Sequence, residues 1–191
     1  MGEEVIAMAE IGASSYRRFL QGDQTGLEEL IRTYSDALVR FAYGIVGSSA
    51  AAEDVAADSI ATLLLKKKHF PDDAHMRAYL YRIARNKALD HLRRHRGQVP
   101  LEDVENVLGS GNPERDLLIE YRDKTLYLCL QKIAPQYRQI LQLVYLDGFS
   151  VEQACVILKA TPKQVYNLLA RAKAALKLIL EKEGITHEDL F

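Results

Sequence analysis

Apolar residues recur at steps of three and four along almost the whole chain, and no run alternates apolar with polar between turn residues. Over 26–46 the series Leu27, Leu30, Ile31, Tyr34, Leu38, Phe41, Ala42 and Ile45 marks one face of a helix. Gly47, Ser48 and Ser49 break it, and Ser49 is the expected N-cap of a second helix over about 50–67. That helix carries Glu53 and Asp54 early and Lys66, Lys67 and Lys68 at its end, the order the helix dipole favours. A loop at Pro71, Asp72 and Asp73 precedes a third helix over about 75–96. Further helices are predicted over about 114–133 and 135–146, with two more flanking a turn near 159–161. The expected fold is all-α.

One segment interrupts the helices decisively. Residues 97–113, GQVPLEDVENVLGSGNP, hold three glycines and two prolines and read as an acidic linker. It divides the chain into bodies over 1–96 and 114–191, each small enough that its core should be modest. Hydrophobic residues make up 48% of the 191, enough for packed cores, and no apolar run approaches the roughly 18 residues a membrane span needs. The start, MGEEVIAMAE, is acidic and unlike a signal peptide. Cys129 and Cys155 are too few for a disulfide framework or a zinc site. A reduced, cytoplasmic protein without membrane insertion is expected.

The net charge of −1 conceals a patterned distribution. Residues 1–58 carry ten acids against four bases, and residues 77–96 carry seven bases against Asp90. Residues 97–120 return to six acids against Arg115, and residues 159–182 carry six bases against Glu181. Two basic segments set between acidic ones suit a protein that meets a polyanion at two places.

Signals for catalysis are missing. No glycine loop opens a helix after a strand. His91 and His95 have the four-residue spacing of a metal pair, but Arg93, Arg94 and Arg96 around them would repel a cation. No Ser, Cys or Thr sits in a nucleophile motif. Neither an enzyme, a cofactor nor a small-molecule substrate is expected.

The last part of the chain is more telling. Asp147, Gly148, Phe149 and Ser150 close one helix and cap a short one over 151–158. Thr161 followed by Pro162 then opens a long helix, Thr as N-cap and Pro at the first helical position. On it Val165, Leu168, Leu169, Ala172, Leu176, Ile179 and Leu180 share an arc of about 120°. Lys163, Asn167 and Ala170 lie opposite, with Tyr166 and Arg171 on the flanks. A short helix, a tight turn and a longer helix with a basic N-terminal face form a helix-turn-helix pattern. Lys, Asn and Arg are side chains that read base edges and hold phosphates. In the 75–96 helix, Arg82, Arg85, Arg93 and Arg96 fall within an arc of about 80°, beside Asn86 and with Tyr79 and Tyr81 near its start. Such a stripe can grip phosphates while aromatics stack on unpaired bases.

The stretch Ala52-Glu53-Asp54-Val55, then residues 76–90 (MRAYLYRIARNKALD), closely resembles region 2 of bacterial sigma factors of the sigma-70 family. Residues 134–141 (APQYRQIL) and the helix-turn-helix through Leu180 resemble region 4 of the small extracytoplasmic-function (ECF) group. The resemblance spans about 16–180 and implies a transcription-initiation subunit with core RNA polymerase and promoter DNA as partners. It implies that Glu53, Asp54, Asp58 and Thr62 face the polymerase. It places Asp72, Asp73 and His75 at a flipped base of the −10 element, with Arg77, Arg82, Arg85 and Asn86 on the adjoining DNA. It assigns Thr161, Lys163, Gln164, Tyr166, Asn167 and Arg171 to the −35 element, and an anti-sigma factor is a further implied partner. The chain departs from the family pattern at Ala57, Ile60 and Leu64 on the polymerase-facing helix and at Tyr79, where a Trp is usual. It departs again at Lys159, where the family's turn has Gly, so a non-Gly residue is expected at a positive φ. A helix-turn-helix regulator acting without polymerase is the alternative reading.

Overall fold

The structure, a computed structural model, describes residues 15–95 and 128–184. Among the described residues there is no strand. A helical stretch over 15–20 leads into α1 (Gln24–Val46), α2 (Ser49–Lys66) and α3 (Asp73–His95). A turn of helix over 128–131 precedes α4 (Pro135–Leu141), a wide π-turn at Gln142–Leu146, α5 (Val151–Leu158) and α6 (Pro162–Lys182). The expected linker over 97–113, Arg96 and most of the helix expected over 114–133 lie outside the described residues.

Local chemistry sets the helix ends. Asp23 caps α1 by accepting from the Thr25 amide. Gly47 closes the same helix in the left-handed conformation, φ 72°. Because the chain is already extended at Ser48, that residue, not Ser49, caps α2 by accepting from the Ala51 amide. The expected cap is thus displaced by one position. Ser150 and Thr161 cap α5 and α6 as expected, each in a reciprocal capping box with the glutamine three residues on, Gln153 and Gln164. Lys159 does occupy the left-handed region, φ 54° and ψ 47°, where the turn between α5 and α6 needs it.

Helices α1–α3 pack around Leu30, Leu38, Phe41, Leu63, Met76, Leu80 and Tyr81, all fully buried. Gly26 is required there: a Cβ at that position would stand 2.4 Å from the Ser15 carbonyl oxygen and 2.8 Å from the Phe19 nitrogen. Tyr16 threads the 15–20 stretch into this core, and its hydroxyl donates to the Lys68 carbonyl at 3.0 Å. Helices α4–α6 close a second core around Ile140, Leu141, Ala154, Val165 and Ala172. Arg138, 5% exposed, holds the preceding turn by donating to the carbonyls of Leu130 (3.0 Å), Gln131 (2.9 Å) and Ile133 (3.4 Å).

The two cores are not independent. Leu143, Phe149 and Ile157 of the second body are buried within the core of the first. The π-turn contributes to this: its wider winding ends in a bond from the Asp147 amide to the Gln142 carbonyl (2.8 Å), between the Leu143 and Phe149 that enter the first core. Two small bodies that could each bury little on their own therefore share apolar surface.

Candidate nucleic-acid interface

Helix α6 turns its apolar arc inward as its spacing predicts, with Val165 and Ala172 buried and Leu168, Leu169, Leu176 and Ile179 packed on the second core. Lys163, Gln164, Tyr166, Asn167 and Arg171 are all exposed, Tyr166 to 58%. Thr161 and Gln164 also have a local task. The Thr161 amide donates to Gln164 Oε1 at 2.8 Å, and the Gln164 amide donates to Thr161 Oγ1 at 3.3 Å. They hold the start of the helix, where Pro162 supplies a preset φ and the free amides point outward. The result is a rigid basic helix with an open N-terminal face, the form that fits a DNA groove.

On α2, Glu53, Asp54 and Asp58 project outward and are exposed. Asp58 also meets Lys87 of α3 at 3.1 Å, and the half-buried Thr62 donates its hydroxyl to the Asp58 carbonyl. The outer face continues through Ala57 and Ala61 to Leu65, 83% exposed. It is acidic at one end and apolar at the other.

The loop before α3 is ordered by Asp72. Its carboxylate accepts from the His75 amide at 2.9 Å and lies 2.7 Å from the His75 ring, and these hydrogen bonds hold it below its ordinary pKa. Asp73 begins α3. Nearby, Phe70 stacks obliquely on Tyr79 at 5.3 Å, with the Lys68 ammonium 4.7 Å over the Tyr79 ring. Tyr16, Arg17, Phe70, Asp72 and Met76 contribute to the wall of a cavity of about 250 Å³ beside this loop.

Along α3, Arg82 and Asn86 are half-buried, and Arg93 pairs with Asp90 at 2.8 Å. Arg96, the fourth member of the expected stripe, lies outside the described residues. His91 and His95 stack their rings at 4.1 Å, and burial lowers the pKa of His91, so this pair is packed rather than splayed for a ligand. No group of three metal-ligating side chains occurs among the described residues.

Arg77, Tyr81 and Arg85 form an i, i+4, i+8 row that faces the second body. The Arg77 guanidinium lies 4.1 Å from the Phe149 ring and donates to the Asp147 carbonyl. The Tyr81 ring meets Phe149 edge-on at 4.7 Å, and its hydroxyl donates to Asp147 Oδ1 at 3.3 Å. Arg85 donates to Gln139 Oε1 at 3.3 Å, and burial lowers its pKa. Burial also pushes the Asp147 carboxyl up to about 7, against the opposing pull of Arg77 and Arg40. None of this was visible in sequence, because the partners lie some 70 residues apart.

Two sequence families match this chain in order: sigma-70 region 2 over residues 30–98 and sigma-70 region 4 over residues 123–176. The chain belongs to the sigma-70 family. It is an alternative sigma factor of the ECF group that binds core RNA polymerase and directs it to promoters. It is 27% identical to the RNA polymerase sigma factor NccH of Alcaligenes xylosoxydans xylosoxydans over 176 residues, covering 88% of this chain and 94% of that one. Identity to the ECF sigma factor SigW of Bacillus subtilis is 23% over 168 residues, 82% of this chain and 90% of the relative. In fold it is similar to the sigma factor RpoE of Bartonella quintana, solved in complex with the anti-sigma factor NepR. The TM-score is 0.62 at 22% identity, over 81% of this chain and 96% of that one. No helix among the described residues is long and apolar enough to cross a membrane.

Proposed function

We propose that this sigma factor divides its work between three surfaces. The outer face of α2, with Glu53, Asp54, Asp58 and Thr62, docks on the polymerase. The loop at Asp72, Asp73 and His75, with Arg77, Arg82, Arg85 and Asn86 of α3, holds the −10 element. Helix α6 enters the −35 element with Lys163, Tyr166, Asn167 and Arg171, while Thr161 and Gln164 fix its first turn. The working units are 1–96, the linker 97–113 and 114–191. The protein acts in the cytoplasm and has no catalytic centre of its own; the polymerase supplies the chemistry.

What carries this reading is the coincidence of the two sigma-70 regions with opposite surface chemistry. The region 2 match contains the exposed acids of α2, and the region 4 match contains the exposed basic face of α6. A regulator acting without polymerase would leave that acidic face without a role. An anti-sigma factor is a fitting further partner, since the similar RpoE is solved with one. The test separates the surfaces. Asp54→Lys with Asp58→Lys should abolish capture of core polymerase while leaving α6 able to bind duplex DNA. Asn167→Ala should keep polymerase binding and weaken the −35 footprint. A double charge reversal that captures polymerase as well as the native chain would refute the assignment of α2.

A further inference from the structure

We infer that the helical stretch over 15–20 is a brace that sets the shape of the −10 loop, with Tyr16 and Arg17 as its positioning residues. The inference rests on the reading above that the loop at Asp72, Asp73 and His75 holds the −10 element. The sigma-70 region 2 match begins at residue 30, so the brace falls outside it. The stretch ties the loop at two carbonyls. The Tyr16 hydroxyl donates to the Lys68 carbonyl at 3.0 Å, and the Arg17 guanidinium donates to the Pro71 carbonyl at 3.1 Å. Lys68 and Pro71 bracket His69 and Phe70, and Asp72 follows directly. The Tyr16 ring also meets Phe70 at 5.9 Å, and Phe70 meets Tyr79 of α3 at 5.3 Å. An aromatic row thus runs from the stretch through the loop to α3. Asp72 anchors the loop to the start of α3; Tyr16 and Arg17 anchor the residues before it.

The brace is itself fixed to α1. Ser15 Oγ donates to Glu29 Oε2 at 2.6 Å, and the Arg18 guanidinium pairs with Glu29 at 2.8 Å and with Asp23 at 3.2 Å. The close approach of the Ser15 carbonyl to Gly26 leaves no slack between the two elements. Tyr16 is 2% exposed, and burial raises its pKa, so the hydroxyl stays protonated as a donor. Arg17 is exposed, so its bond to the loop is not a by-product of core packing. Loops are ordinarily the least stable part of a fold, and here α1 lends its rigidity to one through residues 15–20. The same segment builds half of the neighbouring cavity. Tyr16, Arg17, Leu20 and Gln21 are four of the eight side chains around its 250 Å³, opposite Phe70 and Asp72 of the loop. A site discriminates between bases only as finely as its walls are held. Promoter selectivity at the −10 element therefore depends on residues ahead of the matched region.

The test uses the full chain. Tyr16→Phe keeps the ring and removes the hydroxyl, and Arg17→Ala removes the exposed donor, which leaves the core intact should Tyr16→Phe fold poorly. Without polymerase, hydrogen exchange at the His75 and Met76 amides should quicken by about threefold or more when the two changes are combined, with amides in the middle of α6 unaffected. With core polymerase, each variant is scored on a promoter recovered with the native holoenzyme, its −10 or −35 bases randomised. Preference among −10 bases should fall by about threefold or more, while −35 preference and capture of polymerase change by less than about twofold. A uniform loss of transcripts with −10 preference unchanged would mark both residues as merely structural and overturn the brace. Unchanged exchange at both amides would overturn it too. His75→Ala separates this result from the reading it rests on. Relaxed −10 preference in His75→Ala alone overturns the brace and keeps the loop assignment, whereas unchanged preference in all three variants overturns both. Should the native holoenzyme yield no promoter, the promoter reading fails and the exchange result still decides whether the stretch braces the loop.

Discussion

Replacing Asp147 by Asn should leave stability near pH 5 little changed and remove the loss of stability that the native chain suffers as pH rises. The carboxyl is 8% exposed, and burial moves it from an ordinary 3.8 to about 7 in the folded chain. The unfolded chain releases this proton near 3.8, the folded chain only near 7. Between those values the unfolded state binds fewer protons, so stability falls as pH rises and then levels off above 7. Each pH unit in that window is worth about 1.36 kcal/mol, giving about 4 kcal/mol across it and about 2.7 kcal/mol between pH 5 and pH 7. Asn keeps an oxygen for the Tyr81 hydroxyl and does not titrate. Urea unfolding of both proteins from pH 5 to pH 8 should therefore show the variant gaining on the native chain by about 2–3 kcal/mol over the range. The lowered carboxylates Asp23, Glu29, Asp72 and Glu152 work in the opposite direction, but they are common to both proteins and cancel. Parallel curves would refute the burial argument for Asp147.

Three further outcomes follow from the geometry. Lys159→Gly should stabilise the second body by about 0.5–1 kcal/mol, seen as a raised melting temperature, because relief of the left-handed strain exceeds the entropy glycine loses on folding. Arg138→Met should destabilise it by about 3 kcal/mol in urea unfolding, since the carbonyls of Leu130, Gln131 and Ile133 would lose their buried donor. In holoenzyme binding to promoter DNA, Asn167→Ala should relax sequence preference at one base pair by about 1–3 kcal/mol. Lys163→Ala should instead weaken all sequences alike and lower the salt slope by about one.

What was legible in the sequence was local. Apolar spacing of three and four located the described helices to within a residue or two, because each buries one face. The caps at Ser150 and Thr161 were readable for the same reason, each depending on neighbours within four residues, whereas the positive φ at Lys159 followed only from the resemblance, whose turn has Gly there. The cap at Ser48 was missed by one position because Ser48 and Ser49 have equal capping chemistry, and only the left-handed Gly47 decides between them. Gln164 was assigned to the −35 element by resemblance, and Thr161-Pro162-Lys163-Gln164 also spells a capping box, which the structure forms.

The contact between the bodies left no such trace. Phe149 in a turn and Asp147 beside it carry no periodic signal, and Arg77 and Tyr81 read equally well as DNA-facing or core residues. Only the long-range packing distinguishes them. The same holds for Leu143 and Ile157, which a helical reading assigns to the core of their own body and which the structure buries in the other.

The central claim is that this chain selects promoters for RNA polymerase. Run-off transcription with purified bacterial core polymerase and fragmented genomic template tests it most directly. The account predicts discrete transcripts that require this protein, with upstream sequences that align into a −35 and a −10 element. A protein that shifts duplex DNA alone, yet neither binds core polymerase nor yields any transcript, would contradict it.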